Sequence, residues 1–200
     1  MPNLICINGN IASGKSTLLR SLEKRGHRVV LEGLDRGQWG NILELYYRDP
    51  QRYGYLFQTR VLADMKKTYG FLKKEGTQGD QNVFVERSPL DCMAFSHVVY
   101  ENGNMSEEEY TTFKLLYEML YDAPRVIISL NLSPKVCFER CKARGRPCEK
   151  EISLEYLETV ERCTNRVMKK NPHLDIRYLD VYGKSTSQIV NMVENILSNF

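Results

Sequence analysis

The residues that decide the fold are Leu4-Ile-Cys-Ile-Asn-Gly9-Asn-Ile-Ala-Ser-Gly14-Lys15-Ser16. An apolar run is followed by two glycines, a lysine and a hydroxyl residue at the G-x-x-x-x-G-K-S spacing of a phosphate-binding loop. The glycines let successive backbone N–H groups converge on a phosphate, and the N-terminus of the following helix adds a partial positive charge. We interpret Lys15 as a ligand of the β- and γ-phosphates and Ser16 as a ligand of Mg²⁺. The sequence therefore predicts a nucleoside triphosphate site between the first strand and the first helix.

Short apolar runs alternate with longer amphipathic segments along the rest of the chain, which is typical of a parallel sheet covered by helices. We predict strands at 3–8, 28–32, 82–86, 125–131 and 174–180. We predict helices at 15–25, 37–48, 51–74, 88–102, 107–122, 134–144, 153–170 and 185–198, and a turn-rich loop at 76–81. The expected architecture is α/β, a five-stranded parallel sheet with helices on both faces, in a single domain over 1–200.

Composition narrows the possible partners. The 200 residues carry a formal net charge of +3, too small a basic excess to indicate nucleic-acid binding. No apolar run approaches the roughly 18 residues of a membrane span, and the first strand begins too early for a leader peptide. We therefore expect a cytoplasmic protein with neither nucleic acid nor membrane among its partners. The cysteines form no C-x-x-C pair, so we expect reduced structural thiols. They are Cys6, Cys92, Cys137, Cys141, Cys148 and Cys163.

Charged residues end two of the predicted strands, where open parallel sheets bind their ligands. Glu32 ends the second strand, and Glu86-Arg87 end the third. Glu32 is a candidate general base for an acceptor hydroxyl, and Glu86 is a candidate Mg²⁺ ligand. Arg87 is a candidate for stabilising charge on a transferred phosphoryl group. Solvated strand ends and simple ion pairs are the alternative interpretation.

A second concentration of charge follows the fourth strand. Arg140 and Arg144 are one helical turn apart, and Gly145 then interrupts the helix before Arg146. A helix that ends in an arginine-rich segment is typical of a lid, here about 140–152, that closes over phosphates. A solvated basic helix end is the alternative.

Several segments in order resemble the deoxynucleoside kinase family over nearly the whole chain. The loop at 9–17 is similar to the family's G-N-I-G-S-G-K-S-T, with Ala12 replacing a glycine. The other matching segments are Leu43-Glu-Leu-Tyr-Tyr-Arg-Asp-Pro50, Phe57-Gln58-Thr59, Glu86-Arg87-Ser88, Arg144-Gly-Arg146 with Glu149, Leu154-Glu-Tyr-Leu157 and Leu179-Asp180-Val181. The resemblance implies a P-loop kinase fold and a nucleotide-salvage enzyme. Its reaction would transfer the γ-phosphate of ATP, with Mg²⁺, to the 5′-hydroxyl of a deoxynucleoside.

The resemblance also implies which residues bind ATP. The phosphate loop and the lid arginines would hold the phosphates, and the last matching segment would hold the adenine. These residues are Gly9, Asn10, Ile11, Ala12, Ser13, Gly14, Lys15, Ser16, Thr17, Arg140, Arg144, Arg146, Asp180 and Val181.

On the acceptor side, the resemblance implies that Glu32 takes the proton of the 5′-hydroxyl and that Arg87 lies beside it, with Lys15 as the third catalytic residue. The remaining acceptor residues would hold the sugar 3′-hydroxyl, hydrogen-bond the base edge, or enclose the base. In that order they are Tyr47 and Glu149, then Gln58, then Phe95, Phe57 and Trp39. The tryptophan stands two residues further from the glutamate than in the family, which leaves its contact with the base open.

The side chains expected around the base favour thymidine and other deoxypyrimidines. Relatives that prefer cytosine or purines tend to have an arginine and an aspartate where this chain has Met65 and Cys92. A thioether and a thiol, with Val61 nearby, leave room for the thymine methyl group and offer no charge to an exocyclic amino group.

Two other functions compete with this interpretation. A nucleoside monophosphate kinase such as thymidylate kinase would need arginines for its acceptor but no general base. A regulatory nucleotide-binding module would need neither the carboxylates nor the lid. The family is commonly homodimeric, and the apolar face of the helix at 107–121 is a candidate interface, although packing against the protein's own core explains this face equally well. Its members are Tyr110, Phe113, Tyr117 and Leu120.

Overall fold

The computed structural model describes residues 3–33, 39, 41–74, 82–121 and 123–198. Its strands are β1 Asn3–Gly9, β2 Arg28–Val30, β3 Asn82–Glu86, β4 Val126–Asn131 and β5 Ile176–Asp180. Its helices are α1 Lys15–Lys24, α2 Ile42–Arg48, α3 Pro50–Lys74, α4 Pro89–Glu101, α5 Glu107–Leu120, α6 Pro134–Arg144, α7 Leu154–Lys169 and α8 Thr186–Leu197, with a 3₁₀ turn at Pro147–Glu149. The loop predicted at 76–81 lies outside the described residues.

The strands form one parallel sheet in the order β2-β3-β1-β4-β5. In the central strand β1, Ile7 pairs with Glu86 of β3, and Gly9 pairs with Leu130 of β4. This register places the loop that follows β1 beside the carboxyl ends of both neighbours. The five-stranded parallel α/β fold predicted from the sequence is confirmed.

Side chains of β1 alternate between two hydrophobic layers. Ile5 and Ile7 pack with α1, α6 and α8 on one face of the sheet. Leu4 and Cys6 pack with α3, α4 and α7 on the other face, where the Cys6 thiol lies 3.0 Å from the Tyr69 hydroxyl. Because both faces are covered, an uninterrupted apolar run suits this strand.

Two predicted boundaries near the acceptor residues are wrong. The second strand ends at Val30 rather than 32, because β2 is an edge strand paired only with β3. The backbone N–H of Glu32 donates instead to Glu86 Oε2 at 3.2 Å. Helix α2 begins at Ile42 rather than 37, and Trp39 lies in a turn. The glycines at 37 and 40 are poor helix formers, which explains the later start.

The apolar face of α5, for which a dimer interface and core packing were equally open, packs against the core. Phe113 is fully buried, and Tyr110, Tyr117 and Leu120 are partly buried in the same cluster. The apolar stripe of an amphipathic helix typically packs against the core of its own domain. The exposed apolar side chains of α5 are Leu115 and Met119.

Five cysteines with described side chains, Cys6, Cys92, Cys137, Cys141 and Cys163, are buried and free of disulfide bonds. Among the described residues, no helix combines the length and the apolar character needed to cross a bilayer.

Candidate active site

A cavity of about 490 Å³ opens at the carboxyl ends of the central strands. It brings together most of the site residues predicted from the sequence. These are Ile11, Ala12, Ser13, Gly14, Lys15, Ser16, Thr17, Glu32, Trp39, Tyr47, Phe57, Gln58, Val61, Glu86, Arg87, Cys92, Phe95, Arg140, Arg144, Arg146 and Glu149. Residues from the phosphate loop, from four helices and from the lid segment therefore face one space.

The phosphate loop is held by its own backbone geometry. Gly9 has φ 143°, and a Cβ there would lie 2.7 Å from Ser13 Oγ and 3.0 Å from the Leu130 carbonyl. Ala12 has φ 60°, a left-handed conformation that costs a non-glycine residue about 1–2 kcal/mol. The family's glycine at this position would avoid that cost. Asn10 does not line the cavity, because its side-chain amide donates to the Leu157 carbonyl of α7 at 2.9 Å.

Lys15 is buried at the base of the loop. Its Nζ donates to the carbonyls of Asn10 at 2.8 Å and Gly9 at 3.1 Å, so the ammonium is held against the backbone of the loop. Burial and the positive charge of Arg87 lower the pKa of Lys15 to about 8, although the nearby carboxylates of Glu86, Glu32 and Asp91 partly oppose them. A bound phosphate would oppose both effects.

The side-chain oxygens of Ser16 and Glu86 lie close together beside the phosphate loop. Ser16 Oγ donates to Glu86 Oε1 at 2.8 Å, and Glu86 is buried in the cavity wall. A hydroxyl and a carboxylate are the ligand types that Mg²⁺ prefers. The residues present therefore fit a Mg²⁺ ion bound with the nucleotide.

Next to this pair, three charged groups are in contact at the end of β3. Arg87 Nε lies 2.9 Å from Glu32 Oε1, and Arg87 Nη1 lies 3.4 Å from Asp91 Oδ2. Burial opposes the charge on Arg87, but Glu32 and Asp91 outweigh it and raise its pKa above the ordinary value. Burial raises the pKa of both carboxyl groups, and Arg87 opposes that rise.

Aromatic rings form the far wall of the cavity. Phe57 stacks on Tyr46 at 5.1 Å between centroids, and Trp39 meets Phe57 edge-on at 5.3 Å. Trp39 reaches the cavity despite its longer spacing from Glu32, and Gly33 allows this because a Cβ there would collide with the indole ring. Phe95 lies elsewhere in the wall, with the Arg87 guanidinium 4.7 Å from its ring centre.

The lid arginines are engaged with a carboxylate of the lid itself. Arg144 Nη2 lies 2.6 Å and 2.7 Å from the two oxygens of Glu149, and Arg146 Nη1 lies 3.5 Å from Glu149 Oε1. Arg140 Nη1 donates instead to the Ser13 carbonyl at 3.5 Å. Glu149 is buried. This carboxylate, which is expected to bind the sugar, forms ion pairs with Arg144 and Arg146, which are expected to bind phosphate.

Four further predicted residues do not line the cavity, and Gly9 of the phosphate loop is one of them. Asp180 accepts from the backbone N–H of Tyr182 at 3.0 Å, and Val181 is buried in the core. Met65 lies behind Cys92, with 3.9 Å between the two sulfur atoms, rather than in the cavity wall.

Several cavity residues were missed by the sequence analysis. Those missed are Leu18, Arg20, Leu43, Tyr46, Asp91, Leu130, Tyr156, Lys184, Thr186 and Ile189. Tyr46 and Tyr156 come together from α2 and α7, and burial raises the pKa of both hydroxyls. Asp91 had one available signal, its position four residues after Arg87 on a predicted helix. The α8 residues had none, because only the fold brings α8 to the phosphate loop.

The fold and this cavity define a P-loop phosphotransferase. The deoxynucleoside kinase family matches residues 5–199 of the chain. This chain belongs to the deoxynucleoside kinase family and is an ATP-dependent phosphotransferase. Family membership favours a nucleoside acceptor over a nucleoside monophosphate and excludes the regulatory module.

The similar proteins are named for deoxynucleosides that carry different bases. Deoxycytidine kinase 2 of Gallus gallus is 33% identical over 188 residues, covering 78% of this chain and 70% of that protein. Deoxyadenosine kinase of Dictyostelium discoideum is 29% identical, covering 94% and 74%. The structure of deoxyadenosine kinase from M. mycoides with bound dATP is similar with a TM-score of 0.81 and 26% identity, covering 98% of each chain.

Proposed function

We propose that this kinase transfers the γ-phosphate of ATP to the 5′-hydroxyl of a deoxypyrimidine nucleoside, with thymidine preferred. The observation that supports it is the contact of Glu32 with Arg87 at the end of β3, inside the same cavity as Lys15. A base for a hydroxyl acceptor and a cation for the transferred group are thus adjacent.

The donor half would hold the triphosphate. Lys15 would contact the β- and γ-phosphates, and backbone N–H groups of the loop would surround them. Ser16 and Glu86 would hold Mg²⁺, which when bound neutralises charge on the phosphate oxygens. Arg144 and Arg146 would leave Glu149 for the phosphates as the lid closes, which frees that carboxylate for the sugar 3′-hydroxyl together with Tyr47.

The acceptor half would activate the nucleoside. Glu32 would take the proton of the 5′-hydroxyl, and burial, which raises its pKa, makes it a stronger base than an exposed glutamate. Arg87 opposes that rise in pKa and so favours the ionised carboxyl, and it would stabilise charge on the transferred phosphoryl group.

The preference for thymidine rests on the wall near Cys92. Cys92 and Val61 are buried in the wall, with Met65 packed behind the thiol. A small apolar surface favours a methyl group, and the neighbouring carboxylate of Asp91 is paired with Arg87. Gln58, also buried in this wall, would form paired hydrogen bonds with the base edge.

A substrate panel tests the proposal. Purified protein with ATP and Mg²⁺ is offered thymidine, deoxycytidine, deoxyadenosine, deoxyguanosine and the corresponding monophosphates, and products are separated by chromatography. We expect thymidine to have the highest kcat/KM and its product to be the 5′-monophosphate. Preference for deoxycytidine or a purine would contradict the specificity, and phosphorylation of monophosphates alone would contradict the acceptor class.

We also propose that the kinase is a homodimer that uses the outer face of α5. Leu115 is 57% exposed and Met119 is 78% exposed, and the two are one helical turn apart. Met119→Glu should shift the sedimentation coefficient from dimer to monomer, whereas Leu56→Glu on α3 should not. A wild-type protein that sediments as a monomer at high concentration would contradict the proposal.

A further inference from the structure

One buried carboxylate of the cavity has no part in the mechanism above. Asp91 lies in the first turn of α4, is 2% exposed and lines the cavity beside Cys92. An aspartate in the first helical turn is common, but such residues usually face solvent. A buried carboxylate is retained only with a partner, and for Asp91 that partner is Arg87.

Arg87 is held from several directions. Its backbone has φ 66°, which is costly for a residue with a side chain, and its N–H donates to the Ile7 carbonyl at 3.0 Å. Its guanidinium contacts Glu32 through Nε and contacts Asp91 and the Gly9 carbonyl through Nη1. The ring of Phe95 lies against the same guanidinium. Among these contacts, Asp91 supplies the negative charge on the side of the guanidinium that faces away from Glu32.

An arginine beside a single carboxylate favours a paired contact in which two N–H groups cover both oxygens. Such a contact would cover Glu32, the oxygens of which are needed by the acceptor hydroxyl. An ion pair between Nη1 and Asp91 opposes that rotation. We propose that Asp91 is a positioning residue that fixes the orientation of Arg87, so that Arg87 serves the phosphoryl group while Glu32 stays accessible to the acceptor.

This inference rests on the proposed function, and its predicted effect is on turnover rather than on binding. Asp91→Asn keeps the shape of the side chain and removes its charge. We expect kcat with thymidine to fall about 10- to 100-fold, because a misdirected catalytic group costs about that much. KM for thymidine and for ATP should change by less than about threefold, since neither substrate loses a direct contact. Asp91→Glu should retain more activity than Asp91→Asn.

A double-mutant cycle separates this role from a structural one. If Asp91 acts through Arg87, Asp91→Asn should have little further effect in an Arg87→Gln background, whereas a general loss of packing would add to it. Asp64→Asn is the matched control, because it removes another aspartate–arginine pair four residues apart, with Arg60 on α3 outside the cavity. Its kcat should equal that of the wild type.

The outcomes are distinguishable. An active wild type with unchanged kcat in Asp91→Asn would overturn the inference and leave the proposed function intact. Additive losses in the double mutant would also overturn it. A higher KM for deoxycytidine and deoxyadenosine alone, at unchanged kcat, would mean that Asp91 contacts the base instead. A wild type inactive on every nucleoside would refute the proposed function itself.

Discussion

The two halves of the cavity are built differently. The donor half is one continuous loop, in which backbone N–H groups and the buried ammonium of Lys15 are positioned by the register of β1, β3 and β4. The acceptor half consists of side chains from α2, α3, α4 and the segment between β2 and α2, held by ring stacking and ion pairs. Backbone geometry fixes the donor site for any sequence with the motif, whereas acceptor specificity depends on individual side chains.

The largest effect should come from removing the donor-half cation. Lys15→Met should lower kcat by about 10²–10³-fold, because a fixed charge aimed at the phosphates is lost. Thymidine affinity, measured by calorimetry without ATP, should be unchanged because Lys15 belongs to the donor half. Lys24→Met, at the exposed end of α1, is the control. An equal loss of thymidine affinity would mean that the two halves are not separate.

The reciprocal change tests the acceptor half. Gln58→Leu should lower kcat/KM for thymidine by about 10- to 100-fold, because two hydrogen bonds to the base are lost and the base edge stays unpaired. KM for ATP should remain within about twofold. Gln51→Leu, at an exposed position of the same helix, should behave as wild type. A change in KM for ATP alone would mean that Gln58 contacts ATP rather than the nucleoside.

A smaller effect is expected in the pH dependence of nucleotide binding. With the pKa of Lys15 near 8 in the free protein, the side chain is mostly neutral above that pH. Bound phosphate favours the ammonium, so binding should take up about 0.5–1 proton at about pH 8.5 and almost none at about pH 6.5.

Calorimetry in buffers of different ionisation enthalpy measures this uptake. Lys15→Met should abolish it at both pH values. Uptake that persists in this variant would show that another group titrates.

The smallest effect concerns the strained residue of the loop. Ala12→Gly should raise the free energy of unfolding by up to about 1 kcal/mol, because glycine adopts φ 60° without steric cost. Ala63→Gly in the middle of α3 should lower it by a similar amount, since glycine weakens a helix interior. Urea denaturation measures both, and a destabilised Ala12→Gly would mean that the loop is not strained.

The difference between the two halves explains which parts of the site could be predicted from the sequence. The donor loop, the five-stranded parallel sheet and the carboxylate of Glu86 at the end of β3 follow from local patterns and from the rule that ligands bind at carboxyl ends. Asp91, Tyr156 and Lys184 could not be assigned, because their roles depend on which helices meet across the cavity. Asp180 and Val181 were expected at the cavity, but the chain reaches it only further on, at Lys184 and Thr186.

The ion pairs within the lid could not be predicted from the sequence either. Arg144, Arg146 and Glu149 were each expected to bind a different part of the substrates, but spacing alone does not exclude their pairing with one another.

The central claim is that Glu32 activates a nucleoside hydroxyl, and a single-turnover measurement on Glu32→Gln tests it most directly. The rate of phosphoryl transfer from ATP to thymidine should fall by about 10²–10⁴-fold, while thymidine binds as it does to the wild type. Glu44→Gln, at an exposed position of α2, should transfer phosphate at the wild-type rate. A near-normal rate in Glu32→Gln would contradict the account.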